Sequence, residues 1–154
     1  MHLKADQECF LCSYCGSIDV PETNAEGIRV FDEPADGLAC PVCSTALVHA
    51  SAAEHRMTYC NQCRGMLISM ALFPAVIQDL KSRRSALAYD ARPFDPRDLG
   101  RRLLCPGCSR QMDTHLYGGG GNVILDDCEN CGLNWLDYGE LDRIVRAPDQ
   151  EYAR

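Results

Sequence analysis

A small α+β fold made of two similar units is what this sequence predicts, and three observations carry it. Ten of the eleven cysteines form Cys-x-x-Cys pairs. Four of those pairs recur in register: Cys40-Pro41-Val42-Cys43 returns 65 residues later as Cys105-Pro106-Gly107-Cys108, and Cys60-Asn61-Gln62-Cys63 returns 68 residues later as Cys128-Glu129-Asn130-Cys131. Each copy places strand-like runs between its cysteine pairs and an amphipathic run after the second pair. A repeat of this kind marks one structural unit used twice.

The elements follow in chain order. In the first unit Ala46-Leu47-Val48-His49 and Met57-Thr58-Tyr59 read as a hairpin with a short link. Ser69 can cap a helix in which Phe73, Val76, Ile77 and Leu80 follow the i, i+3, i+4, i+7 spacing of a buried face. Pro74 falls in its first turn, where the missing N–H costs nothing. The stretch from Arg83 to Arg92 has no period, and Asp95-Pro96 then signals a cap and a short helix through Arg101. In the second unit Gln111–Tyr117 and Asn122–Asp126 flank four glycines at 118–121, a hairpin signal. A phosphate-cradling loop would need a helix directly after the glycines and a Lys-Ser/Thr pair, and neither follows. Asp137 with Glu140 three places on has capping-box spacing ahead of Leu141, Ile144 and Val145. The segments are then 1–37, with an extra cysteine pair; 38–83, first unit and helix; 84–103, linker with a short helix; 104–147, second unit and helix; and 148–154, a tail.

The cysteine spacing points to zinc. Zinc takes four soft donors in a tetrahedron, and two Cys-x-x-Cys turns supply them. Cys-x2-Cys-x16-Cys-x2-Cys and Cys-x2-Cys-x19-Cys-x2-Cys both have the spacing of tetrathiolate sites. The ligands are Cys40, Cys43, Cys60 and Cys63 in one site and Cys105, Cys108, Cys128 and Cys131 in the other. A pairing of Cys12 and Cys15 with Cys40 and Cys43 is set aside, because the second unit has no pair upstream of Cys105. The fold class is thus a small metal-stabilised α+β: two zinc ribbons, β-hairpins with zinc knuckles, each followed by an α-helix. Units of some 45 residues bury too little apolar surface to stand alone, and a structural zinc offsets that shortfall.

The second unit resembles the transcription-factor-IIB-type zinc ribbon of small, mostly bacterial proteins. The residues that carry the likeness are Cys105-Pro106-Gly107-Cys108 and Cys128-Glu129-Asn130-Cys131-Gly132, continuing into Trp135-Leu136-Asp137-Tyr138-Gly139-Glu140-Leu141. The first unit keeps the four cysteines but has no Trp, Asp or Glu at the matching helix start. The resemblance implies zinc ligation at the matched cysteines and little about activity. Trp135 reads as a packing residue.

Cys9, Cys12 and Cys15 fall outside the repeat. One reading is a third zinc at Cys12 and Cys15, completed by Cys9, His2, His49 or His115; on the other, the histidines are ordinary side chains. A redox Cys-x-x-Cys needs a strand–helix setting, whereas Ile18–Asn24 reads as a loop. Iron at a tetrathiolate site is a further alternative.

Net charge is −7, and each tetrathiolate zinc adds about −2. That balance disfavours nucleic acid, which attracts Lys and Arg. The bases concentrate between Lys81 and Arg110, with eight against three acids. Lys81, Arg83, Arg84, Arg92, Arg97, Arg101 and Arg102 are therefore the residues a nucleic-acid reading would use. No Ser-His-Asp grouping or open metal triad is visible. The expectation is a non-enzymatic protein-interaction adaptor with two zinc ions per chain and a third at Cys12 and Cys15 left open. Nucleic acid is the alternative partner. With no apolar leader or membrane span and with paired cysteines, the expected compartment is the cytoplasm.

Overall fold

The computed structural model describes residues 2–4, 9–83 and 92–148. Its strands form two antiparallel sheets. A small N-terminal sheet joins β1 (His2–Lys4), β2 (Cys9–Leu11) and β3 (Ile18–Asp19) in that order. The main sheet has β4 (Ile28–Ala39), β5 (Ala46–Ala52), β6 (His55–Tyr59), β7 (Met66–Ser69), β8 (Asp113–Leu116), β9 (Ile124–Cys128) and β10 (Leu133–Leu136). Its order is β4-β5-β6-β7-β10-β9-β8. The helices are α1 (Phe73–Arg83), α2 (Pro96–Leu99) and α3 (Glu140–Arg146).

The main sheet is two three-stranded units joined at their third strands. Antiparallel pairing of β7 with β10 sets Ser69 against Leu133, Ile68 against Asn134, Leu67 against Trp135 and Met66 against Leu136. Leu67 and Trp135 occupy the same place in the two repeats, so a pseudo-twofold axis passes through that pair.

Side-chain alternation then divides the sheet into two faces. Met66, Ile68 and Leu136 join Val48, Ala50, Met57 and Leu125 under α1 and α3. The i, i+3, i+4, i+7 set of α1 is buried there, as its spacing predicts, and so are Leu141, Ile144 and Val145 of α3. Leu67 and Trp135 face the other way, with Leu47, Met112 and the cysteines. The helices also hold each other: Lys81 Nζ donates to Ala147 O at 2.9 Å.

Both hairpins form. The first is longer than its short link suggests, because β5 and β6 run up to a two-residue turn at Ala53 and Glu54. Both turn residues have positive φ (48° and 72°), which suits the strand twist. In the second, two of the four glycines pack on α3 and its C-cap: a Cβ on Gly121 would lie 3.1 Å from the Arg143 carbonyl, and one on Gly120 only 2.5 Å from Ala147 Cβ. Close approach is their use here.

Several sequence expectations need correction. Ile18–Asn24 is not all loop, since Ile18 and Asp19 pair with Leu11 and Phe10. Ile28–Ala39, which begins in the segment 1–37 given no strand and runs into the first unit, is the edge strand β4, with register shifts around Pro34. The short helix stops at Leu99, before Arg101; its cap is as expected, with Asp95 Oδ1 accepting from Arg97 N–H at 3.0 Å. Residues 84–91 of the polar linker lie outside the described residues. Among the described residues, no helix is long and apolar enough to cross a membrane.

Candidate metal centres

Each knuckle is a backbone device before it is a metal site. The first cysteine donates its N–H five residues ahead: Cys40 to Thr45 O at 2.7 Å, Cys60 to Gly65 O at 2.9 Å, Cys105 to Arg110 O at 2.7 Å. Its carbonyl accepts from the residue four ahead: Ser44, Arg64, Ser109 or Gly132, at 2.8–2.9 Å. Those four residues all turn into the left-handed region, with φ between 62° and 66°. Three of the four are not glycine, and such a φ costs energy. The tight turn aims amides at sulfur: Val42 and Cys43 N–H reach Cys40 Sγ at 3.4 and 3.3 Å, and Cys63 N–H reaches Cys60 Sγ at 3.4 Å.

The eight cysteines singled out by the repeat gather as two groups, Cys40/43/60/63 and Cys105/108/128/131, with all sulfurs in a group within 4.8 Å of one another. A tetrahedral Zn–S distance of ~2.3 Å separates sulfurs by about 3.8 Å. Cys40 and Cys63 sulfurs stand 3.6 Å apart, as do those of Cys108 and Cys128. The donor set, spacing and closure fit zinc: four protein thiolates fill a tetrahedron and leave no ligand position for substrate. Two Zn²⁺ per chain follow.

Crowding divides the thiols. In the second group the Arg110 amide leads in lowering Cys108 to about 7, while the Cys108 sulfur and burial push Cys131 up to about 12. In the first, burial raises Cys60, but the amide of Cys63 and the Thr45 hydroxyl outweigh it and bring the thiol to about 6; burial drives Cys63 well up. A divalent cation among the sulfurs favours all four thiolates together.

Around the second site lies a buried polar cluster of which the sequence reading caught only part. Trp135 is fully buried, and its Nε1–H donates to Asp137 Oδ1 at 3.2 Å. Its packing role is thus borne out. Arg101 donates to both Asp137 carboxylate oxygens (3.1 and 2.5 Å) and to Asp126 Oδ2 at 2.8 Å. Asp126 is 1% exposed and also accepts from Thr114 Oγ1 at 2.7 Å. The capping box is half formed. Glu140 Oε2 accepts from Asp137 N–H at 2.7 Å, but Gly139 (φ 85°) is the N-cap, because the Asp137 side chain is taken by Arg101 and Trp135. Burial and the Asp137 charge raise the Glu140 carboxyl to about 8.

Gly65 is the other residue that sequence reasoning missed. A Cβ there would fall 2.3 Å from Trp135 Cζ2, so the first ribbon keeps a glycine where the second inserts its indole. Its place two residues after Cys63, in the knuckle's exit, was the available signal.

The remaining cysteines and histidines do not gather. Among the described residues, Cys9, Cys12, Cys15, His49 and His115 join no cluster of three ligands. Cys9 is buried, and Cys15 is exposed. His115 Nε2 sits 2.5 Å from Asp127 Oδ2, and that contact raises its pKa. The side chain of His2 lies outside the described residues. Cys12 nevertheless has a low thiol, about 7, with the Cys15 amide first among the causes and the Tyr14 amide assisting.

No curated protein and no solved structure matches the chain. Residues 104–147, the second ribbon with its helix, match the family of TFIIB-type zinc ribbons, described as transcription factor zinc-finger, and the Cys40/43/60/63 group is consistent with a tandem copy.

Proposed function

We propose that this is a non-catalytic zinc protein, an adaptor that offers the cysteine-bearing face of its main sheet to another protein. The carrying observation is a groove of about 410 Å³ on the ribbons, whose lining includes Leu38, His49, Arg56, Leu67, Ser69 and Leu133. Shallow, largely apolar concavities with a few polar groups suit an apolar segment of a protein partner. The closed metal sites support a structural use of zinc.

The nucleic-acid alternative draws on the basic segment, whose charges are largely engaged within the molecule. Arg101 is held by Asp126 and Asp137, Arg97 by Asp95, Arg83 by Glu54, and Lys81 by the Ala147 carbonyl. Net acidity works in the same direction.

The experiment compares zinc-loaded wild type with Ser69→Arg, a half-buried groove position, by affinity capture and by titration with mixed DNA and RNA at low salt. The expected result is a protein captured by wild type and lost by the variant at unchanged zinc content. A salt-dependent nucleic-acid shift that survives Ser69→Arg would replace this reading with the alternative.

A further inference from the structure

The fifth Cys-x-x-Cys pair, Cys12 and Cys15, folds like the other four. Cys12 N–H donates to Ser17 O at 2.9 Å, and Gly16 N–H returns to Cys12 O at 2.8 Å. Gly16 takes φ 73°, in the place where Ser44, Arg64, Ser109 and Gly132 are left-handed. Ser17 Oγ lies 3.0 Å from Cys15 Sγ.

The strands around this knuckle match as well. In each ribbon, the residue just before the second knuckle pairs with the residue five places after the first knuckle's last cysteine. Tyr59 pairs with Val48, five after Cys43, and Asp127 pairs with Asp113, five after Cys108. In the N-terminal sheet, Leu11 precedes the knuckle and pairs with His2. The sequence β1, β2, knuckle, β3 therefore reproduces β5, β6, knuckle, β7 of the first ribbon.

We propose that Cys12 and Cys15 are one half of a third tetrathiolate zinc site, completed by the same knuckle of a second copy of this chain. Two like knuckles around one zinc is the arrangement that each ribbon already uses, and a twofold axis between copies brings identical knuckles face to face. Exposed apolar side chains lie within and just after the knuckle in sequence: Tyr14, Ile18 and Val20 are 98%, 64% and 51% exposed. Contact between copies covers them. Donors from the same chain are poorly placed, since among the described residues neither Cys9, His49 nor His115 gathers with this pair.

The test titrates Zn²⁺ into the full chain and follows mass and metal content by native mass spectrometry. The expected species is a dimer holding one zinc beyond those of its ribbons, and it reverts to monomer on chelation of the weakest-bound ion. Cys12→Ser with Cys15→Ser should abolish the dimer and the shared zinc, with both ribbon zincs and the circular dichroism of the sheet retained. Cys9→Ser should still dimerise. A monomer with two zinc ions at saturating metal overturns the proposal. So does a monomer with three, or a dimer that persists in the double variant.

Discussion

The two ribbons hold metal in the same way and differ in how each is secured to the rest of the molecule. Their knuckles share hydrogen bonds, left-handed residues and strand register. The first ribbon ends its third strand at Ser69, whose hydroxyl accepts from Ala71 N–H, and gives way to α1. The second ends in Trp135-Leu136-Asp137, ties Asp137 and Asp126 to Arg101, and buries Glu140 at the start of α3. At the equivalent places the first ribbon has Leu67, Ser69 and Leu72. The family match covers only the ribbon with this polar cluster. The helix-locking cluster is particular to the second half, while the metal-holding geometry is common to both.

The largest effect should come from the ligands. Cys60→Ser and Cys128→Ser each open one site, and a structural zinc contributes on the order of 10 kcal/mol. Because β7 pairs directly with β10, either change should unfold the whole main sheet, seen as loss of a cooperative thermal transition by circular dichroism alongside the lost zinc. A surviving transition in either variant would show that the ribbons fold separately.

A smaller effect probes the seam. Gly65→Ala forces a Cβ into the Trp135 ring, and overpacking of this kind costs about 1–3 kcal/mol in denaturant unfolding. Trp135→Phe in the same chain should recover part of that cost; strictly additive losses would argue against direct contact.

A pH-dependent effect belongs to Glu140. Its carboxyl sits at about 8 in the folded chain against 4.5 as the ordinary value. The folded state thus holds the proton more tightly, and stability falls as pH rises from about 4.5 to about 8. Glu140→Gln should flatten the unfolding free energy across the upper part of that window, where zinc stays bound. An unchanged pH slope would show that the acid does not distinguish the second ribbon.

The ribbons were legible because their signals are local. The cysteine spacing of each unit and the periodicity of Phe73, Val76, Ile77 and Leu80 each lie within a short window, and the repeat only compares two such windows. What escaped depends on distant partners. The β7–β10 seam joins residues more than sixty apart, and Arg101 reads as one more base in a basic run until Asp126 and Asp137 are placed around it. β4 was hidden by its own irregularity: Pro34 and the positive φ of Asp32 and Gly37 interrupt the alternation that announces a strand.

The pseudo-twofold through Leu67 and Trp135 has a consequence for what the duplication made available. In a pair of identical ribbons, the residue at the axis meets its own copy, and an indole there would also require a glycine at every position that faces it. Joined in one chain, the halves are free to specialise, one supplying the bulky side chain and the other the space. The seam then accepts only unlike neighbours, so neither ribbon can pair in this way with its own copy.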